Sequence, residues 1–174
     1  MIKNIFKLII IIILFVIFLI FYLSFFGVKT SKFNFIIEEQ IKKQNSQLNI
    51  NLDEVKILLN LKNISIQIKI ENPKLIINNS KDIELEEITS SISLISYLSK
   101  THSIKNLSIK TKRNKIRDYV DFYRLYDKSL NFILIKQFLK NGYGKLDVNL
   151  NFDEKGKIKK DYELKGKINN LELK

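Results

Sequence analysis

Residues 64–70 read Ile64-Ser65-Ile66-Gln67-Ile68-Lys69-Ile70, a strict alternation of apolar and polar side chains. Successive side chains of a strand point to opposite faces. The spacing therefore predicts a strand with its isoleucines on one side and Ser65, Gln67 and Lys69 on the other. The flanks repeat the pattern. Upstream, Leu48, Ile50 and Leu52 alternate with Asn49 and Asn51, and Val55, Ile57 and Leu59 follow. Downstream, Asn72-Pro73 marks a turn or an edge, residues 74–78 resume as a strand, and Ile83, Leu85 and Ile88 begin another. Isoleucine is abundant throughout, and β-branched residues suit a pleated, half-buried surface.

Further along, Ile92 and Leu94 suggest a strand that runs into a short helix near 96–100, and Ile104, Leu107 and Ile109 form the next strand. Residues 117–140 contain no Gly or Pro and carry Val120, Tyr123, Leu130, Ile133, Leu134 and Phe138 at helical spacing. They predict one long helix with a weaker register around Asp127 and Lys128, where a break near Ser129 stays open, and with Asn141-Gly142 as its stop. Leu146, Val148, Leu150 and Phe152 then alternate with Asp147, Asn149 and Asn151. Asp153-Glu154-Lys155-Gly156 reads as a hairpin turn, with Gly156 at the position that tolerates positive φ. Ile158, Tyr162, Leu164, Ile168, Leu171 and Leu173 carry strand patterning onward.

Ahead of the strands, residues 8–26 are a run without charge: Leu-Ile-Ile-Ile-Ile-Ile-Leu-Phe-Val-Ile-Phe-Leu-Ile-Phe-Tyr-Leu-Ser-Phe-Phe. A helix crosses a bilayer core with roughly 20 apolar residues. A cleaved signal peptide has a shorter apolar region and a small-residue cleavage site, and neither fits here. The run is apolar on every face, which a small soluble core could not bury. Lys3 and Lys7 precede it, Lys29 and Lys32 follow it, and Tyr22, Phe25 and Phe26 suit a headgroup zone. Residues 31–43 predict a juxtamembrane amphipathic helix, capped by Ser31, with Phe33, Ile37 and Ile41 on one face.

The expected fold class is α+β: one N-terminal transmembrane helix, an amphipathic helix, then a curved, mostly antiparallel β-sheet packed by one long helix. Its divisions are a cytoplasmic tail at 1–7, the transmembrane helix at 8–27 and a domain at 28–174. Lysines flank both ends of the run, so charge bias alone does not orient it. The short tail is the natural cytoplasmic end, and the domain is expected in the periplasm of a Gram-negative bacterium.

The 174 residues carry 30 Lys+Arg against 18 Asp+Glu, a net charge of +12. With no cysteine and a single histidine, His102, neither a disulfide framework nor a Cys or His metal cluster can be assembled. His102 reads as part of a surface turn. Gly142-Tyr143-Gly144 lacks the rest of a dinucleotide fingerprint. Asp82, Glu84, Glu86 and Glu87 read as a solvated strand face, and the basic run 110–117 as a solvated turn. No catalytic residue, metal or cofactor is expected, and the anchor disfavours nucleic acid as a partner.

The order of these features resembles the N-terminal part of the AsmA-like family of envelope proteins. A lysine-bearing tail leads into one membrane helix and Phe26-Gly27-Val28-Lys29-Thr30. Leu52-Asp53-Glu54-Val55-Lys56-Ile57, the alternating isoleucines, Asn72-Pro73-Lys74 and the Ser-rich unit 88–109 follow. Phe152-Asp153-Glu154-Lys155-Gly156-Lys157-Ile158, with Tyr162 and Gly166, is similar to the repeated family hairpin. The family's members usually continue for hundreds of residues. The resemblance implies a non-enzymatic, inner-membrane-anchored protein with a curved sheet and an apolar groove, acting in phospholipid transport or outer-membrane and envelope assembly. Its partners would be the membrane, phospholipid and other envelope proteins. Ile64, Ile66, Ile68, Ile70, Leu146, Val148, Leu150 and Phe152 would form either that groove or the core face beneath the long helix. The alternative is a bitopic periplasmic scaffold, LptC-like, that binds a partner by β-strand addition.

Overall fold

The computed structural model describes residues 2–78, 80–99, 104–127 and 129–174. It is mixed α+β, with one N-terminal apolar helix and one large antiparallel sheet. Helix α1 spans Ile2–Phe25, and its stretch Ile5–Phe25 is long and apolar enough to cross a membrane. It stops at Gly27, whose φ of +69° carries little strain in glycine. A Cβ there would also stand 2.6 Å from the Ile57 carbonyl oxygen. Strand β1 (Val28–Thr30) starts at once.

Helix α2 (Asn34–Gln44) starts two residues later than Ser31 capping predicts. The Ser31 side chain makes no cap bond. Its carbonyl instead accepts from Asn34 N at 3.0 Å, and the Asn34 amide ties the helix to the Leu52 and Asp53 carbonyls at 2.9 Å each. Ile37 and Ile41 pack against the buried clusters, while Phe33 stays exposed. Asn45 ends the helix, and its side chain accepts from Gln47 N at 2.9 Å.

Strands β2 (Leu48–Asn51), β3 (Val55–Asn60), β4 (Ser65–Glu71), β5 (Lys74–Ile77) and β6 (Lys81–Ser93) follow. Asn72-Pro73 is not a turn but a bend inside one long strand. β4 and β5 pair along the same side of β6 in a single register, from Ser65↔Ser93 to Ile77↔Lys81. The ladder crosses the bend: Asn72 N donates to Glu86 O at 3.0 Å, and Leu85 N to Pro73 O at 2.9 Å. Asn72 takes φ +52°, which asparagine tolerates, and Pro73 lacks the donor that the bend leaves unused. On the other flank β2 pairs β5 and β3 pairs β4, again in one register, with the matching bend at 52–54.

Helix α3 (Leu94–Leu98), strand β7 (Ile104–Thr111) and the short β8 (Asn114–Lys115) come next. His102 lies outside the described residues. The long helix expected at 117–140 is two helices, α4 (Ile116–Tyr123) and α5 (Leu130–Phe138). Asp127 explains the interruption: its carboxylate accepts from Ser129 N at 2.9 Å, and such a side chain competes with helical bonding. Asn141-Gly142 is no helix stop either. Strand β9 (Leu139–Asn151) begins directly after α5 and carries Gly142 where a Cβ would meet Ile116 at 2.8 Å. The turn at 153–156 forms with Gly156 at φ +77°, and β10 (Glu163–Leu173) returns along β9.

The sheet runs β1-β3-β4-β6-β7-β9-β10, with β2 and β5 continuing the line of β3 and β4. It is open, with β1 and β10 at its ends. Two buried clusters fill one side, Leu48, Ile77, Ile83 and Leu85 in the first, Ile50, Leu52, Val55 and Ile70 in the second. Ile41 of α2 packs on both, and Tyr119 and Phe122 of α4 pack on the first.

Candidate functional site

The two faces of the sheet differ in chemistry. On one, Val55, Ile70, Ile88, Ile109, Val148 and Leu164 stand in a single cross-strand row over six strands. A second row holds Ile57, Ile68, Ser90, Leu107 and Leu150. On the other face, Gln67, Thr89, Ser91, Asn106 and Asn149 line a shallow polar depression of ≈ 680 Å³. Its groups bond to one another, as in Ser91 Oγ to Asn106 Oδ1 at 2.6 Å. Strand alternation alone produces this contrast.

The apolar rows are covered unevenly. Val55 is 1 % exposed and Ile70 4 %, whereas Leu164 at the far end of the row is 63 % exposed. Ile168, the next outward apolar residue of β10, is 59 % exposed. Between these limits lies an apolar groove of ≈ 350 Å³. Ile41 and Leu48 form one wall, Tyr119 and Phe122 the other, and Ile88, Ile109, Leu146 and Val148 the floor.

The anticipated residues therefore separate. Leu146 and Val148 line the groove. Ile70 is buried core, and Ile68 packs on the same cluster. Leu150 is half-buried in the second row, and Ile66 is half-buried between Leu59 and Ile92. Phe152 closes the end of β9 through a bridge to Ile158. Ile64 is not on the strand: it sits in the turn before β4 at φ +45° and is 53 % exposed. Sequence reasoning missed the α4 wall. Tyr119 and Phe122 are three residues apart, a helical spacing that could have marked an inward face.

A charge clasp positions α4 over the groove. Asp121, with its side chain 10 % exposed, accepts from Lys81 of β6 and from Lys136 of α5, the latter at 2.5 Å. Burial pushes its carboxyl up, but the two lysines outweigh burial and hold it below the ordinary carboxylate value. Asp118, one turn earlier, is raised by burial, with nearby Lys81 and Lys115 opposing. Elsewhere the charges pair across strands: Glu87 with Lys69 at 2.8 Å, Glu84 with Lys112 at 3.9 Å, Glu86 with Lys145 at 3.8 Å. Most of the basic run is exposed, and two of its arginines are held. Arg113 lies over the Tyr143 ring at 4.6 Å, and Arg117 Nε donates to Leu139 O at 3.0 Å.

An open groove with apolar walls and an apolar floor can take up a hydrocarbon chain without a hydrogen-bonding partner. The chain matches no protein-family model, no curated protein and no solved structure.

Proposed function

We propose that this chain is a single-pass membrane protein whose β-domain shelters the acyl chain of a phospholipid beside the bilayer. In this reading it acts without catalysis, as AsmA-like envelope proteins do, in lipid transport or envelope assembly. The tail 1–7 is then cytoplasmic and the domain 28–174 periplasmic. One observation carries the reading: an apolar band six strands wide is sealed at β3 and β4 but uncovered at β10, where Leu164 and Ile168 face solvent. A sheet serving only as a core would have no use for that asymmetry.

The test is photo-cross-linking of the full chain in its membrane. p-Benzoylphenylalanine is placed at Val148, at Leu164 or, on the opposite face, at Asn149. Phospholipid adducts by mass spectrometry at Val148 and Leu164, and none at Asn149, are the expected result. Equal labelling of both faces, or none at the groove, refutes the reading.

A second reading rests on β10. This strand of 11 residues pairs β9 on one side and no other strand among the described residues. Such an edge can accept a partner's strand, as in an LptC-like scaffold. Protein adducts in place of lipid adducts at Leu164 would select it.

A further inference from the structure

We propose that the end of the sheet formed by Leu61, Ile64, Ile95 and Leu98 is sunk into the bilayer leaflet from which α1 emerges. The domain is then embedded in the membrane surface, not tethered above it. The inference rests on the reading that α1 crosses the bilayer, and it adds where the groove-bearing domain sits.

The last turns of α1 lie along β3. Ile20, Leu23 and Ser24 are half-shielded and Gly27 is buried, a spacing that puts them on one side of the helix. Gly27 abuts Ile57, and Val28 pairs with it. From Ile57, β3 continues three residues to Asn60, about 10 Å. Seven residues back along the helix from Gly27 is also about 10 Å and reaches Ile20. The turn at 61–64 therefore stands level with Ile20, inside the apolar span Ile5–Phe25. That span is about 30 Å long, the thickness of a hydrocarbon core.

The surface of this end is apolar. Leu61 is 48 % exposed, Ile95 60 % and Leu98 79 %. Leu94 N donates to Ile64 O at 3.2 Å, which fixes α3 beside the turn and gathers these side chains at one end. The rim also bonds internally, as a medium without water demands: Asn63 N reaches Asn60 Oδ1 at 3.3 Å, and Ser96 N reaches the buried Ser93 Oγ at 3.2 Å. Lys62, the charged residue of the turn, has a stem long enough to return its ammonium to the headgroups.

The backbone of the turn is strained. Among the described non-glycine residues, those at positive φ are Ile64, Asn72, Asn78 and Asn170. Asparagine is at ease there; a β-branched isoleucine is not. A strained residue that exposes an apolar side chain points to a role outside the fold.

The natural chain has no cysteine, so single labels can be placed at will. Full-length Leu61→Cys, Leu98→Cys, Phe15→Cys and Ser80→Cys proteins carry a nitrobenzoxadiazole label in nanodiscs of phosphatidylethanolamine and phosphatidylglycerol. Part of the lipid bears an acyl-chain nitroxide. Phe15 reports the span, and Ser80, in the β5–β6 turn at the other end of the sheet, reports water. Loss of more than half the emission at Leu61 and Leu98, with Ser80 unaffected, is the expected result. Adding Ile64→Asn to the Leu61→Cys protein should keep the fold and weaken its quenching. Rim labels that behave like Ser80 while Phe15 is quenched overturn the proposal. Rim quenching without groove cross-links leaves insertion standing and removes lipid shelter. Cross-links without rim quenching do the reverse.

Discussion

The side chain of Asn114 reads both backbone groups of Glu84: Oδ1 accepts from Glu84 N and Nδ2 donates to Glu84 O, each at 2.8 Å. The amide thus extends the β6–β7 ladder just past the end of β7, where Lys112 N also donates to Glu84 O at 2.9 Å. Nδ2 also reaches Lys112 O and the Tyr119 hydroxyl, and Tyr119 meets Thr111 at 2.6 Å. The knot joins β6, β7 and α4. Asn114→Ala leaves Glu84 N without its acceptor, while Glu84 O keeps its bond from Lys112 N, and should cost about 2 kcal/mol. Urea unfolding of the full chain in micelles measures it. A loss much below 1 kcal/mol, on the same scale, would mean that water replaces the amide.

Acid should loosen α4. The Asp121 carboxyl sits below its ordinary value of 3.8 in the folded chain. Its contribution is therefore complete above that value and is lost as pH falls through the lower, folded one. Asp118, raised by burial, acts with opposite sign, since its ionisation on the way to neutrality weakens the fold. The stability difference between wild type and Asp121→Asn should shrink as pH drops below about 4, while Asp118→Asn should gain relative stability at neutral pH. Melting curves from pH 3 to pH 7, roughly the carboxylate range, decide both.

Two glycines should respond oppositely to a methyl group. Gly27→Ala places Cβ against the Ile57 carbonyl at positive φ and should cost about 2 kcal/mol, loosening the joint of α1 and β1. Gly166 has nothing nearer its Cβ position than 3.9 Å, so Gly166→Ala should stabilise β10 by about 0.5 kcal/mol. Protease susceptibility after residue 27 and melting temperature report the two.

Leu164→Asp separates fold from function. Leu164 is exposed, so stability should change by less than about 0.5 kcal/mol. A carboxylate in the open end of the apolar band should nevertheless abolish lipid adducts at Val148. Undiminished adducts would show that the band beyond β9 plays no part.

Period two was easy to read because each strand buries one face, so every second residue carries the same instruction. That exposed Ile66, Ile68, Ile70, Leu146 and Val148 correctly as one side of a sheet. It failed at Ile64, which continues the alternation in letters but turns in space, because φ is not written in hydropathy. The 117–140 stretch failed for the converse reason: α4, Leu125 and Tyr126 in the turn after it, α5 and Leu139 at the start of β9 supply apolar residues whose spacing blurs into one helix. Half of the groove went with it, since Tyr119 and Phe122 could be assigned to a wall only once α4 had its own axis. Asn72-Pro73 carried turn chemistry, but whether a bend reverses the chain or merely tilts it depends on the strand alongside.

The bends of β2/β3 and β4/β5 sit side by side at 52–54 and at Asn72 and Pro73, and the β6–β7 register shifts at Leu85 and Glu87. Isoleucine-rich strands are poorly indexed, because sliding one past its neighbour by two residues restores the same apolar face. The aligned bends supply the missing index. A slipped strand would offer a straight segment where its neighbours turn, breaking the bonds that Asn72 and Pro73 exchange with Glu86 and Leu85. Geometry does the proofreading that such a repetitive vocabulary of side chains cannot.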